Sequence, residues 1–281
     1  LPGIRLPSSI VLTSDLVLAL KAADLIVLAI PSQFIRQVLK RLKKFNISLI
    51  PFLSVVKGIE TETQMRVSEI IYQELGKNLR LAVLSGPTIA LEVAKEVPTT
   101  AVISSSDEEL AKSLQRVFMT RRFRVYTNPD VVGVELGGSL KNVIAIACGI
   151  SDGLGFGANT KAALLARGLA EISRMGTAMG AKKETFSGIT GLGDLVTTCI
   201  SQHSRNRSVG EQIGKGRKLK NILSRMNMVA EGVATAKAAY LLGKKYRVSM
   251  PITNEVYSML YKNKDPFRAV NDLMTRQRKE E

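Results

Sequence analysis

Residues 25–34 read LIVLAIPSQF: six apolar residues in unbroken succession, a proline, then a polar pair. A strand covered on both faces has no polar side to show, so this run, closed by Pro31, predicts a strand buried in a parallel sheet. Ser32 has the chemistry of an N-cap, and the spacing after it predicts a helix over 32–44. Outward from this unit the same alternation continues. Strands are expected at 49–56, 81–84, 101–103 and 123–126, and helices at 62–75 and 107–119. Within 62–75, Val67, Ile70, Ile71 and Leu75 recur at helical spacing. Pro51 has no amide hydrogen for a ladder, so regular pairing in the second strand should begin after it. Such alternation is the pattern of βαβ units around a parallel sheet. Past Asn128-Pro129 no strand pattern occurs, only helical periodicity punctuated by glycine. The expected fold class is α/β plus all-α: an incomplete parallel-sheet domain over 1–136, then a helical domain over 137–281, with the boundary at Gly137.

The 281 residues are 45% apolar and 5% aromatic, too apolar for disorder and long enough for two cores. The longest apolar runs fall short of the roughly 20 residues that span a bilayer, so no membrane span is expected. Cys148 and Cys199 stand far apart without metal-type spacing, which argues against a disulfide framework or cysteine-rich zinc site and fits a reducing cytoplasm. No secretory signal pattern opens the chain, which starts at Leu1 with a stretch that reads as a surface loop. Net charge is +16, with 17 basic against 13 acidic residues in 1–140 and 23 against 11 in 141–281. The basic field belongs to the second half. It suits a nucleic acid, a membrane surface or a small phosphorylated ligand. The first is disfavoured, because there is no Trp and the basic residues are not interleaved with aromatics.

Parallel sheets bind ligands beyond the carboxyl ends of their strands, where this chain has Pro31-Ser32-Gln33, Lys57-Gly58 and Ser85-Gly86-Pro87-Thr88. Lys57 is suited to an anion or a developing alkoxide, and Gly58 permits close backbone approach, although each also fits an ordinary strand-to-helix loop. Ser85 to Thr88 offers backbone N–H groups to a phosphate, or is simply a turn. Gly153, Gly155 and Ala158 in GLGFGA, with Glu171 further on, imitate a dinucleotide fingerprint. They follow a helix and precede no strand, so they read as a helix-to-helix loop. His203 is the single histidine, which rules out a multi-histidine metal site, and in SQHSRNR it reads as a polar loop residue. Lys141 and Asn142 stand at the head of an apolar helix. A buried lysine there needs an acidic partner or a proton-transfer role. Asp194 in GITGLGDLVTTC is the candidate partner, with Thr197 and Thr198 within one turn. Arg205-Asn206-Arg207 is either a phosphate-binding cluster or a solvated pair around an amide. Glu231 suits a helix cap or a ligand to a cofactor amide or ribose.

In order and wording, SVVKGIE (54–60), SGPTIALEVA (85–94), GVELGGSLKNVIAIACGISDGLGFGANTKAALLARGLAE (133–171), GITGLGDLVTTC (188–199), SRNRSVG (204–210) and VAEGVATA (229–236) resemble the blocks of bacterial NAD(P)-dependent glycerol-3-phosphate dehydrogenases. The resemblance runs from near the start of the chain to its end. It implies a Rossmann domain and a helical domain like that of 6-phosphogluconate dehydrogenase. It also implies NAD or NADP as cofactor and reversible reduction of dihydroxyacetone phosphate to sn-glycerol 3-phosphate, feeding phospholipid synthesis. By the same resemblance, Lys141 is the proton donor and acceptor, Lys57 lies beside substrate and nicotinamide, and Asp194 orients the lysine and the substrate hydroxyl. Gly86 and Thr88 would contact substrate, and Ser204, Arg205 and Asn206 would hold its phosphate. Lys57, Ala90, Arg205, Val229 and Glu231 would face the cofactor. No metal is implied, and a cytoplasmic homodimer is. The glycine-rich βαβ unit that opens the family does not occur in the sequence and is expected ahead of Leu1. The preference between NAD and NADP, set in that unit, is therefore not readable. A non-catalytic protein of the same fold is the alternative.

Overall fold

The computed structural model describes residues 3–226, 228–278 and 280. Five strands come first: β1 (Ile26–Leu28), β2 (Phe52–Ser54), β3 (Leu81–Ser85), β4 (Thr99–Ser104) and β5 (Phe123–Asn128). Interleaved with them are α1 (Leu16–Leu20), α2 (Ile35–Leu42), α3 (Val67–Leu75), α4 (Ala90–Ala94) and α5 (Glu108–Phe118). The sheet order is β1-β2-β3-β4-β5. Successive side chains of a strand face opposite ways, so β2 feeds two cores. Phe52 packs with Ile35, Leu39, Ile70 and Ile71 on one face. Leu53 packs with Leu84, Ile103, Leu110 and Leu114 on the other.

The sheet is not parallel throughout. β1, β2 and β3 run together, β4 lies antiparallel to β3 with Leu84 opposite Ile103, and β5 is parallel to β4. A parallel return needs a crossover of a dozen or more residues, usually a helix long enough to run back along the sheet. Between β3 and β4 the sole helix is the five-residue α4, which is too short for that path.

β1 also departs from the expected fully covered strand. It is an edge of the described sheet, and Val27 is 46% exposed while Leu28 is buried. Ser32 does not cap α2. A 3₁₀ turn over Ser32–Phe34 intervenes, and Phe34 precedes the helix without a side-chain cap. Likewise α3 starts at Val67, because residues 60–65 close a tight turn with Gln64 at φ 60° and Glu60 N donating to Met65 O at 3.1 Å. Regular pairing of β2 does begin after Pro51.

From Val131 all regular structure among the described residues is helical: α6 (Val131–Gly153), α7 (Ala158–Ala178), α8 (Asp194–Ile200), α9 (Arg205–Gly214), α10 (Leu219–Leu223), α11 (Glu231–Lys245), α12 (Pro251–Tyr261) and α13 (Pro266–Met274). α6 is the axis of this part and is buried from Gly133 to Ser151. By length and composition it is apolar enough to cross a membrane, which the short apolar runs did not foretell, yet here it is the core around which the other helices pack. It runs without a break through Gly137. Its first turn is capped by Asp130, whose carboxylate accepts from Gly133 N at 2.9 Å, Lys182 N at 2.8 Å and Thr185 Oγ1 at 2.7 Å. The glycines that punctuate the sequence here have a packing reason. A Cβ at Gly149 or Gly153 of α6 would strike the backbone of α9, and one at Gly210 or Gly214 would strike that of α6.

Candidate active site

The ends of β2 and β3 meet the middle of α6, and three charged side chains converge there. Lys141 is 5% exposed and Asp194 is 1% exposed. Lys141 lies in mid-helix rather than at a helix head, because α6 begins ten residues before it. Its Nζ donates to Asp194 Oδ1 and, at 2.6 Å, to Thr198 Oγ1. Asp194 opens α8 immediately after a π-helical turn, Ile189–Gly193, a geometry frequent at functional sites. Thr198, one turn further, donates its own proton to Asp194 O at 2.7 Å. Its lone pairs are therefore turned to the ammonium.

The second oxygen of Asp194 accepts from Lys57 Nζ at 2.9 Å. One buried carboxylate thus bridges two lysines. Lys57, in the loop after β2, also donates to Gly86 O at 2.6 Å and lies 3.4 Å from Thr88 Oγ1. Gly86 has φ 140°, and a Cβ there would sit 3.0 Å from Ala101 Cα and 3.1 Å from Thr100 O. Glycine is required to turn that carbonyl toward the lysine. Asn142 donates from Nδ2 to Lys57 O at 3.2 Å, tying the loop to α6. Burial pushes the Lys141 ammonium down to about 8; the Lys57 charge acts the same way and Asp194 opposes. Desolvation therefore wins over the ion pair.

A second cluster adjoins the first. Glu231, first residue of α11, accepts from Ser32 N at 2.8 Å and Ser32 Oγ at 2.5 Å. Burial pushes its carboxyl up, while the Ser32 hydrogen bonds and the charge of Arg205 pull it back. Gln33 Nε2 donates to Ser32 Oγ at 2.9 Å and Ile59 O at 2.8 Å. Asn206 is buried, and its Oδ1 accepts from Gly232 N at 2.9 Å. A Cβ at Gly232 would strike both Asn142 O and Asn206 Oδ1, so this cluster lies directly against the lysine-bearing helix.

Not every candidate joins these networks. Ser204 is the N-cap of α9, accepting from Arg207 N at 3.2 Å. Arg205 follows it, exposed, whereas Arg207 is turned away to Asp152 at 2.7 Å, so the arginines are not one cluster. Ala90 opens α4 and Val229 lies two residues ahead of α11, both exposed. The glycine run after α6 is a helix-to-helix loop as expected, and Glu171 caps α12 by accepting from Ile252 N at 2.6 Å and Thr253 N at 3.1 Å. His203 is exposed in a turn. Cys148 and Cys199 are free and buried, and hydrogen bonding between them, with burial, pushes the Cys199 thiol well up. Two residues named beside the candidates, but given no role of their own in the site, joined it. Thr198 was detectable, since four residues after Asp194 is the same helix face. Ser32 was not, because its partner is 199 positions away.

A sheet whose strand ends open on a buried lysine–aspartate–lysine bridge, backed by a helical body that supplies two of the three residues, defines a two-part α/β oxidoreductase. The chain matches the NAD-dependent glycerol-3-phosphate dehydrogenase N-terminus over residues 1–111 and the C-terminus over residues 130–271, and it belongs to that family. It is 52% identical over 278 residues to glycerol-3-phosphate dehydrogenase [NAD(P)+] of Bacillus pumilus, covering 98% of this chain and 81% of that protein. It is 50% identical over 283 residues to the enzyme of the same name from Chlorobium phaeobacteroides, covering 100% and 85%. Among solved structures, the glycerol-3-phosphate dehydrogenase of Coxiella burnetii superposes with a TM-score of 0.95 at 37% identity, over 98% of this chain and 84% of that one. The Plasmodium falciparum glycerol-3-phosphate dehydrogenase gives 0.88 at 26% identity, over 99% and 80%.

Proposed function

We propose that this chain interconverts dihydroxyacetone phosphate and sn-glycerol 3-phosphate with NAD or NADP, feeding phospholipid synthesis. The bridge of Lys57, Asp194 and Lys141 at the ligand-binding edge of the sheet carries this reading. On reduction, the C2 carbonyl oxygen of the substrate gains negative charge, which two lysine cations facing it stabilise. Lys141, its proton affinity lowered by burial, delivers the proton; in the reverse direction the neutral amine removes it. Asp194 and Thr198 hold its Nζ in place. Gly86 and Thr88, both beside Lys57, contact the substrate. Arg205, with Ser204 and Asn206, grips the phosphate, a task suited to the planar guanidinium fork.

The residues present suit the nicotinamide end of the cofactor. Gly58, after β2, is buried beneath Ser32 and Glu231, where a Cβ would strike both, and Val229 and Arg205 are exposed next to Glu231. Lys57, Ala90, Arg205, Val229 and Glu231 would hold it. When bound, it supplies or accepts the hydride. The same proposal divides the chain into a dinucleotide-binding part, 1–136, and a catalytic part, 137–281. It places a homodimer in the cytoplasm, in keeping with two free thiols.

The test is turnover of dihydroxyacetone phosphate, followed by nicotinamide absorbance with each cofactor, in the wild type and in Lys141→Met. Turnover by the wild type and its collapse in a folded variant are expected. Undiminished turnover in Lys141→Met overturns the assignment.

A further inference from the structure

Away from the lysine–aspartate bridge, α6, α7, α12 and α13 enclose a cavity of about 580 Å³, within the usual range for small-molecule sites. Its wall is apolar, built by Ala147 and Ile150 of α6, Leu164 of α7, Val256 and Met259 of α12, and Leu273 of α13. Several polar groups break that surface, and Ser151, Arg174 and Glu255 hold buried atoms with no hydrogen-bond partner among the described residues. Ser151 is 4% exposed, and its Oγ has no hydrogen-bond partner among the described residues. Arg174 Nε is also buried without a partner, although its Nη2 donates to Ser249 O at 3.0 Å.

Two acids of the wall are engaged by the protein, and a third, Glu280, stands exposed. Both oxygens of Glu171 accept from the start of α12, and Glu255 faces Lys264. Arg276 and Arg278 stand exposed at the mouth. What remains inside this greasy slot is the Ser151 hydroxyl and the Nε of Arg174, whose charge also reaches Glu171. A buried donor without a partner is costly, so an acceptor on a ligand gains by meeting it.

We propose that this cavity binds a single-chain anionic amphiphile, the alkyl chain between α6, α7, α12 and α13 and the acid head at Arg174. Carboxylate and phosphate monoester heads share the required chemistry.

Calorimetric titration of the whole chain with decanoate, decyl phosphate, hexanoate and decanol tests the proposal. Each buried methylene tightens binding about four-fold, so decanoate should bind on the order of 10²-fold more tightly than hexanoate. Decanol should bind more weakly than either ten-carbon anion, and the ranking of decanoate against decyl phosphate names the head. Ala163→Trp, on the exposed rim of α7, should abolish binding, and Arg174→Gln should weaken the anions at least ten-fold while leaving decanol unchanged. Should Ala163→Trp not fold, Val270→Phe on α13 fills the same slot. Absence of binding, indifference to chain length, equal affinity for decanol, or unaltered binding in the filled variants overturns the proposal. Conversion of a dimer to a monomer by Ala163→Trp in sedimentation also overturns it and makes the cavity an interface between copies.

Discussion

In the proposed mechanism Lys141 sets the pH at which the two directions of the reaction exchange efficiency. Burial has brought its ammonium down to about 8, so below that pH it carries the proton that reduction needs, and above it the free amine that oxidation needs. The kcat for reduction should therefore fall as pH rises through about 8, and that for oxidation should rise through the same region. Parallel profiles in the two directions would exclude Lys141 as the shared acid and base. Its removal in Lys141→Ala should lower kcat by about 10²–10⁴ with folding retained. Arg205 answers to a different measurement. Arg205→Ala should cost roughly 2–4 kcal/mol in kcat/KM for the phosphorylated substrate, as expected when a charged contact loses one partner. Unphosphorylated dihydroxyacetone should change little; equal losses would assign Arg205 to the cofactor or to structure. The lysine–aspartate pair was legible in the sequence because a lysine within an apolar helix demands an acid, and Asp194 sits in a glycine-flanked turn that permits close approach. The link from Ser32 to Glu231 was illegible for an equally physical reason. The same hydroxyl that suits an N-cap also suits a carboxylate, and local sequence carries no sign of a partner two hundred positions on.

α6 shows what periodicity transmits and what it omits. An all-round apolar pattern signals a buried helix, and this one is buried over nineteen of its residues. The glycines within it are contact points, since a Cβ at Gly137 would lie 2.8 Å from Thr190 O. The true start is the cap at Asp130. Its carboxylate satisfies the first turn and also ties the helix to Lys182 and Thr185. Asp130→Ala should destabilise the fold by about 2 kcal/mol, the upper end for a lost cap, because three bonds go together. Asp130→Asn keeps one acceptor oxygen for Gly133 N but loses the two bonds to Oδ2, so it should recover only part of that loss in urea unfolding, and an unchanged midpoint in the alanine variant would show the cap to be idle. Strand positions in the first 128 residues were legible for a related reason, since apolar runs report burial. Strand direction was not, because apolar character is the same read either way, and the shortness of α4 was the available sign that β4 reverses.

The sheet and the helical body act together only if their seam holds, because Lys57 comes from one and Lys141 and Asp194 from the other. Beside the Lys57–Asp194 pair and the Asn142–Lys57 bond, three further links hold the seam. Ser139 Oγ donates to Gly58 O at 3.3 Å, Ser32 meets Glu231, and Glu135 of α6 reaches the start of α3. The last is the most heavily bonded. Glu135, 7% exposed, accepts from Ser68 N at 2.8 Å, Ser68 Oγ at 2.5 Å and Arg66 Nη1 at 2.5 Å. Removing one partner of a buried pair leaves the other charge uncompensated, an effect of about 3–5 kcal/mol. Arg66 retains Glu69 at 3.1 Å, which places the expected loss for Glu135→Ala near the lower end. The consequence for the whole molecule differs from that of a core defect, since the change removes the most heavily bonded link between two parts that have cores of their own and share one small apolar cluster of Val83, Val102 and Val134. Urea unfolding of Glu135→Ala should show an earlier midpoint and a transition that separates into two, the basic helical part persisting longer around the buried α6. Turnover should decline before either transition, because the lysines lose register before either part unfolds. A single transition at the wild-type midpoint, with turnover intact, would show that the seam is held by packing alone and that Glu135 has no part in aligning the two lysines.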